Sequence, residues 1–251
     1  LLELEQEVID RADILFTGGS SLFEAKKDRH SNVHCFPSSV DRVHFLKARA
    51  RQFDPADQED LPKPRLGFYG VIDERFDTEL LATVAELRPD WSFVMVGPVV
   101  KISEEDLPKQ RNIHYLGGKT YDQLPGYLSG WDVALMPFAM NESTQFISPT
   151  KTPEYLAGGT PVVSTPIKDV VRHYVELEGV KIALTAEEFV AACEEALELS
   201  RNANGEWLAE ADLMLSSSSW DTTQGRMAGL IADILGTRTG ATSPALLVAA
   251  E

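Results

Sequence analysis

The chain has 251 residues, 43% of them hydrophobic, which is enough for one large domain or two small ones around a sizeable core. Lys and Arg number 23 against 39 Asp and Glu, giving a net charge of −16. Such a surface argues against general nucleic-acid binding, so an anionic ligand needs a local positive pocket.

No apolar run approaches the ~20 residues of a membrane-spanning helix. The first residues carry Glu3, Glu5, Glu7 and Asp10, unlike a signal peptide, and residue 1 is Leu, which suggests an excised or processed chain. Cys35 and Cys193 match no metal spacing and read as core residues of a reducing compartment. The five histidines form no i, i+4 ligand pair, so no metal site is expected.

In chain order, an amphipathic helix over 1–11 leads into a short strand, "DILFTGG", a helix, "SLFEAKKDR", and then "NVHCFPSSVDRVHF". Residues 46–64 are charged, carry Pro55, Pro62 and Pro64, and read as a linker. From residue 65 the pattern alternates. "RLGFYG" (65–70) predicts a buried strand ending in glycine, and "DTELLATVAEL" (77–87) a helix capped by Asp77, with Leu80, Leu81, Val84 and Leu87 on one face. Strands follow at 91–100, broken by Gly97-Pro98, at 112–118, at 132–139, at 161–166 and at 179–184. Short helices fall at 121–130 and 150–158. Thr185 and Glu188 form a capping box for a helix that buries Phe189, Cys193, Ala196 and Leu197. Two more helices are expected around 203–215 and 220–236, and a frayed tail over 237–251. Continuous apolar strands alternating with helices predict an α/β fold, a doubly wound parallel sheet covered on both faces. Ligands of such sheets sit at the carboxyl ends of the strands, here Gly70, Gly97-Pro98, Gly117-Gly118 and the loop 139–149.

The densest candidate site is "SPTKTPEYLAGGTPVVSTP" (148–166). Pro149 precedes a helix start and Pro153 sits in its first turn, where a missing N–H costs little. The amides of Thr150 and Lys151, with the Lys151 charge, would suit a diphosphate, and Glu154 one turn on would suit the hydroxyl pair of a ribose. The alternative is an exposed Lys151–Glu154 ion pair worth ~0.3 kcal/mol. Arg75, after the Gly70 strand end, is a second phosphate candidate, unless it is solvated among Asp73, Glu74 and Asp77. "HYLGGKTYDQL" offers open backbone at Gly117 and Gly118, a cation at Lys119 and an aromatic at Tyr121, able to seat a base; Tyr121 is otherwise a packing residue. His114 reads as structural. There is no phosphate-loop signature, no dinucleotide fingerprint and no Ser/His/Asp or Cys/His set.

The order "NVHCFPSSVDRVHF", "GFYGVIDERFD", "HYLGGKTYDQLPGYLSGWDVALMPF" and "SPTKTPEYLAGGTPVVSTP" resembles the C-terminal half of GT-B glycosyltransferases, nearest to retaining bacterial enzymes of the group-one or family-four type. The resemblance spans roughly residues 10 to 235. It implies a Rossmann-like donor-binding domain over 65–200, residues 1–45 as the end of an N-terminal acceptor domain, and 201–236 as helices returning toward it. Glu154 would hold the ribose. Ser148, Pro149, Thr150 and Lys151 would hold the diphosphate, with Arg75 and Gly70 nearby, and the loop of Gly117, Gly118, Lys119 and Tyr121 would seat the base. The resemblance further implies a nucleotide-diphosphate sugar as donor, no cofactor or metal, and transfer with retention to an acceptor hydroxyl in cell-surface glycan synthesis. The acceptor would be a glycan or lipid-linked glycan, and the location cytoplasmic, with peripheral membrane association through the N-terminal domain. Two departures stand out: Phe146 occupies the place of a family glutamate eight residues before Glu154, and Gly70-Val71 replaces the usual Gly-Arg. A non-catalytic nucleotide-sugar-binding module and a non-hydrolysing nucleotide-sugar epimerase are the alternatives on the same fold.

Overall fold

The computed structural model describes residues 2–50, 54–202 and 205–239. The chain opens with helix α1 (Leu2–Arg11), of which only Ile9 is buried. Strand β1 (Leu15–Thr17), helix α2 (Ser20–Lys26) and strand β2 (Val33–Cys35) follow, and β1 pairs with β2 in parallel as a two-stranded sheet. A short helix α3 (Arg42–Leu46) is capped by Asp41, whose carboxylate accepts from the His44 amide.

The second sheet is the larger one. It is built from β3 (Arg65–Tyr69), β4 (Ser92–Val96), β5 (Ile113–Gly117), β6 (Val133–Met136), β7 (Val162–Ser164) and β8 (Val180–Ile182), in the order β5-β4-β3-β6-β7-β8, with every pair parallel. Every residue of β3, β4 and β6 is buried, as their continuous apolar runs predict for strands covered on both faces. The chain leaves β3 in one direction and resumes at β6 on its other side, so the switch point lies between the carboxyl ends of these two neighbours.

The covering helices are α4 (Thr78–Leu87), α5 (Leu124–Ser129), α6 (Lys151–Ala157), α7 (Lys168–Tyr174) and α8 (Ala186–Arg201). Beyond them lie α9 (Glu206–Leu215) and α10 (Trp220–Thr239). Asp77 caps α4 by accepting from the Leu80 amide, and Thr185 with Glu188 forms the capping box of α8. That helix buries Phe189, Cys193, Ala196 and Leu197 against α4 and the sheet.

Several sequence expectations need correction. Leu87 is 47% exposed rather than on the buried face of α4. It is the last helical residue, where the chain turns back toward β4, and Ala85 takes the buried place. Cys193 is fully buried but Cys35 is only half-buried. Helix α7 was not expected: its start has no side-chain cap, and its charged Asp169 is buried, which breaks the apolar pattern. The strands are also shorter than their apolar runs, ending or starting beside Gly97, Pro137 and Pro161.

The charged segment read as a linker is packed where it is described. Gln58 is fully buried; it accepts from Trp131 Nε1 at 2.8 Å and donates to the Tyr127 carbonyl at 3.1 Å. Trp131 can lie flat on β3 because Gly67 has no side chain; a Cβ there would fall 2.0 Å from the indole. Most of the tail expected over 237–251 lies outside the described residues, while α10 continues to Thr239.

Candidate functional site

The tips of β3 and β4 are made of glycine for steric reasons. Gly97 has φ 148°, and a Cβ on it would sit 1.8 Å from the Gly70 carbonyl oxygen. Gly70 has φ 143°, and a Cβ on it would sit 2.4 Å from Lys151 Cε. The lysine stem therefore lies directly across the end of β3. Its ammonium Nζ stands 5.6 Å from the Phe68 ring centre and 5.8 Å from that of Phe138, within cation–π range of both. Among the described residues no carboxylate oxygen lies within 4.0 Å of it. Burial holds the Lys151 pKa below the ordinary lysine value, against an upward pull from Glu154 and a further downward push from Arg75.

Glu154 points inward at the same tip. The Tyr69 hydroxyl donates to Glu154 Oε2 at 2.9 Å, and Tyr69 is itself held by its amide donating to the Tyr155 hydroxyl at 3.1 Å. Burial raises the Glu154 pKa, while the hydrogen bond from Tyr69, the charge of Lys151 and a hydrogen bond from the Thr150 side chain oppose it. Lys151 and Glu154 are therefore not the exposed ion pair of an ordinary helix. They are two desolvated, separately held charges at the switch point of the sheet.

The other predicted residues divide into two groups. Ser148, Pro149 and Thr150 form the turn into α6, and the Ser148 carbonyl accepts from Ser38 Oγ at 3.0 Å. Thr150 has helical backbone angles and makes no side-chain cap. Gly117 has φ 70°, and a Cβ on it would meet nothing within 4 Å; on Gly118 it would meet only Pro98 Cδ, at 3.9 Å. These backbones are open to close approach. Tyr121 is 48% exposed and stacks on His44 with ring centres 4.2 Å apart and planes 11° apart. Burial, followed by the charge of Glu154, pushes its phenol up to about 12, which places Tyr121 in the electrostatic reach of that carboxylate.

Two predicted cations are engaged elsewhere. Arg75 grips Asp73, donating from Nε to Oδ1 at 2.9 Å and from Nη2 to Oδ2 at 2.6 Å, and the buried Asp73 is held below the usual carboxylate range by that arginine. Lys119 donates to Asp57 Oδ2 at 2.5 Å beside the Tyr127 ring. His114 is half-buried on β5, opposite Val94, and burial lowers its pKa.

Sequence reasoning missed Tyr69, Phe68, Phe138 and His44. The signal for Tyr69 was present: a phenol in the last residue of a buried strand needs a partner for its hydroxyl. Nothing local marks His44, which reaches Tyr121 across 77 residues.

A doubly wound parallel sheet carrying a desolvated cation and a fixed carboxylate at its switch point defines the class: one half of a GT-B glycosyltransferase fold. The chain belongs to the family described as glycosyl transferases group 1, whose profile matches residues 63–199. It is 32% identical over 208 residues to a Bacillus subtilis protein named as a teichuronic acid biosynthesis glycosyltransferase, TuaH, a match covering 77% of this chain and 50% of that one. The chain thus spans about half the length of this relative. Among solved structures, sucrose-phosphate synthase from Thermosynechococcus elongatus matches at 18% identity with a TM-score of 0.69, over 94% of this chain and 62% of that one. HepE from Anabaena, in complex with UDP-glucose, matches at 12% identity with a TM-score of 0.68, over 92% of this chain and 67% of that one. At such identities the likeness is one of fold.

Proposed function

We propose that this chain binds the nucleotide-sugar donor of a glycosyltransferase. Lys151 neutralises the diphosphate beside the turn Ser148–Pro149–Thr150, and Glu154 accepts the ribose hydroxyls. Gly117 and Gly118 let a base approach their backbone, with Tyr121 along its edge. Gly70 admits the Lys151 stem that carries the charge toward the phosphates, and Arg75, paired with Asp73, stands beside that lysine.

The observation that carries this reading is the state of Lys151. A half-buried lysine whose ammonium has no carboxylate inside 4.0 Å among the described residues, in a chain of charge −16, favours an anionic ligand. Binding the diphosphate would draw the Lys151 pKa back up toward the ordinary lysine value. Glu154, already oriented by Tyr69, loses little freedom on gripping a sugar hydroxyl.

In the whole protein the same site would stabilise the departing nucleoside diphosphate through fixed charge, with no metal needed, while an acceptor hydroxyl attacks with retention of configuration. The likeness to TuaH, named for teichuronic acid biosynthesis, supports a role in cell-surface glycan synthesis; the proposal extends to a glycan or lipid-linked acceptor met on the cytoplasmic side of the membrane. Titration calorimetry with UDP, GDP and UDP-glucose tests the binding step. Saturable binding that disappears in Glu154→Ala is expected, and silence up to millimolar nucleotide sinks the proposal. Retention is tested separately, by NMR of the anomeric product made by the full-length protein.

Phe146 favours a second reading. It is 40% exposed with Lys168 Nζ 5.7 Å from its ring, and it offers no acceptor for a sugar hydroxyl at the place where the family resemblance puts a glutamate. A chain that binds donor but transfers nothing would show full nucleotide affinity with no turnover in the full-length protein.

A further inference from the structure

The turn assigned to the diphosphate is braced by a part of the chain remote in sequence. Gly19 starts α2, its carbonyl accepting from the Phe23 amide at 2.9 Å. Its backbone is extended, with φ −177° and ψ 162°, a conformation open to any residue. Glycine stands there for space. A Cβ on Gly19 would fall 2.4 Å from Asp169 Oδ2 and 2.6 Å from Ser148 Cβ, whereas a Cβ on Gly18 would meet nothing within 4 Å. Gly19 is thus held between a carboxylate of α7 and the first residue of the turn Ser148–Pro149–Thr150.

Asp169 maintains this contact. It is 2% exposed. Its Oδ1 accepts from the Ser21 amide at 2.8 Å, which supplies from α7 the cap that Gly19, without a side chain, cannot give to α2. Oδ2 has no hydrogen-bond partner and packs against Gly19. One turn further along α7, His173 Nε2 lies 2.9 Å from Ser20 Oγ. The loop after β2 adds a second strut, with Ser38 Oγ donating to the Ser148 carbonyl at 3.0 Å. Beside the turn lies a cavity of about 300 Å³ whose lining includes Ser38, Ser148, Pro149 and Asp169. The turn therefore has room to shift, and these few contacts set its place.

We infer that Asp169 is a positioning residue for nucleotide binding: by capping α2 from α7 it holds Gly19 against Ser148 and so fixes the diphosphate turn. It acts through Gly19 and Ser148 and touches no ligand itself. This role rests on the donor-binding reading above for its link to nucleotide, while the clamp stands on the contacts alone. Coupling of this kind is reciprocal, so a nucleotide seated on the turn also tightens α2 on α7.

The neighbouring glycines provide the test with its control. Gly19→Ala and Gly18→Ala make the same chemical change one residue apart, and only the first intrudes on Asp169 and Ser148. Titration with UDP is expected to show about ten-fold weaker binding in Gly19→Ala and the parent affinity in Gly18→Ala. Asp169→Ala should lose about as much, and Asp169→Asn, which keeps an oxygen for the Ser21 amide, should recover most of it. If Asp169→Ala does not fold, the glycine pair decides. Hydrogen exchange followed by NMR adds a readout that a general loss of stability would not produce. UDP should slow exchange of the Ser21 amide in the parent chain and in Gly18→Ala, but not in Gly19→Ala. Without ligand, the Glu154 amide, which donates to the Thr150 carbonyl at 3.4 Å, should exchange several-fold faster in Gly19→Ala than in Gly18→Ala. Equal UDP affinity in the two glycine variants, or an Asp169→Asn protein as weak as Asp169→Ala, overturns the positioning role. If the parent chain binds no UDP, the donor reading fails instead. The ligand-free exchange at Glu154 then still decides the clamp, and equal rates in the two glycine variants end it.

Discussion

Strand β3 meets a cation at each end, a buried arginine and a half-buried lysine, and the two are treated in opposite ways. At the amino end, Arg65 opens β3 and is 4% exposed. Its guanidinium donates to Asp54 Oδ2 at 2.5 Å, to the Leu61 carbonyl at 2.8 Å and to the Glu59 carbonyl at 2.6 Å, and its amide donates to Asp132. Each of the three guanidinium nitrogens has a partner. At the carboxyl end, Lys151 lies over Gly70 with two aromatic rings near it and, among the described residues, no carboxylate within 4.0 Å. A satisfied charge holds the fold together. An unsatisfied one marks where a ligand completes the structure.

The largest expected effect comes from breaking the satisfied end. Arg65→Met strands Asp54 and two carbonyls, and lowers the unfolding free energy in urea by about 3–5 kcal/mol. The nucleotide affinity of the molecules that remain folded should not move. Lys151→Met should invert that result. UDP affinity falls about 10–100-fold, as for a lost charge-assisted contact, while stability holds or rises. The sign follows from the depressed pKa: a lysine harder to charge in the folded state than in the unfolded one opposes folding at neutral pH, and removing it removes that cost. A Lys151→Met protein as unstable as Arg65→Met would erase the contrast between the two ends.

The pH profile sharpens the same comparison. Diphosphate binding needs Lys151 charged, so affinity should decline on the alkaline side at a pH below 10.5, earlier than for an ordinary lysine. Ribose binding needs Glu154 ionised, so the acid-side decline should begin above 4.5. Calorimetry in Glu154→Gln separates this acid limb from protonation of the phosphate itself, which remains in the variant. The smallest effect belongs to a residue at neither charged end. Asp77→Ala removes only the cap of α4 and costs about 1 kcal/mol in thermal or urea unfolding, with nucleotide affinity unchanged.

Much of the fold was legible because it rests on local physics. The glycine-ended strands, the Asp77 cap and the Thr185–Glu188 box follow from residues within a few positions of each other. Helix α7 escaped because its buried Asp169 is explained only by Ser21, 148 residues away. Arg75 and Lys119 were legible as cations but not as engaged ones. Arg75 has its carboxylate two residues away, yet Lys119 meets Asp57 only after the chain between them has folded.

The sequence by itself determined the alternation of buried strands and helices, and with it a parallel doubly wound sheet with glycine at its tips. It also placed Lys151 and Glu154 one turn apart at the start of a helix. Only the tertiary structure decided that these two face the switch point rather than water, since that required Gly70 to admit the lysine stem and Tyr69 to turn the carboxylate inward. Periodicity is a property of neighbours along the chain. Desolvation and the choice of partner arise from residues that the fold alone brings together.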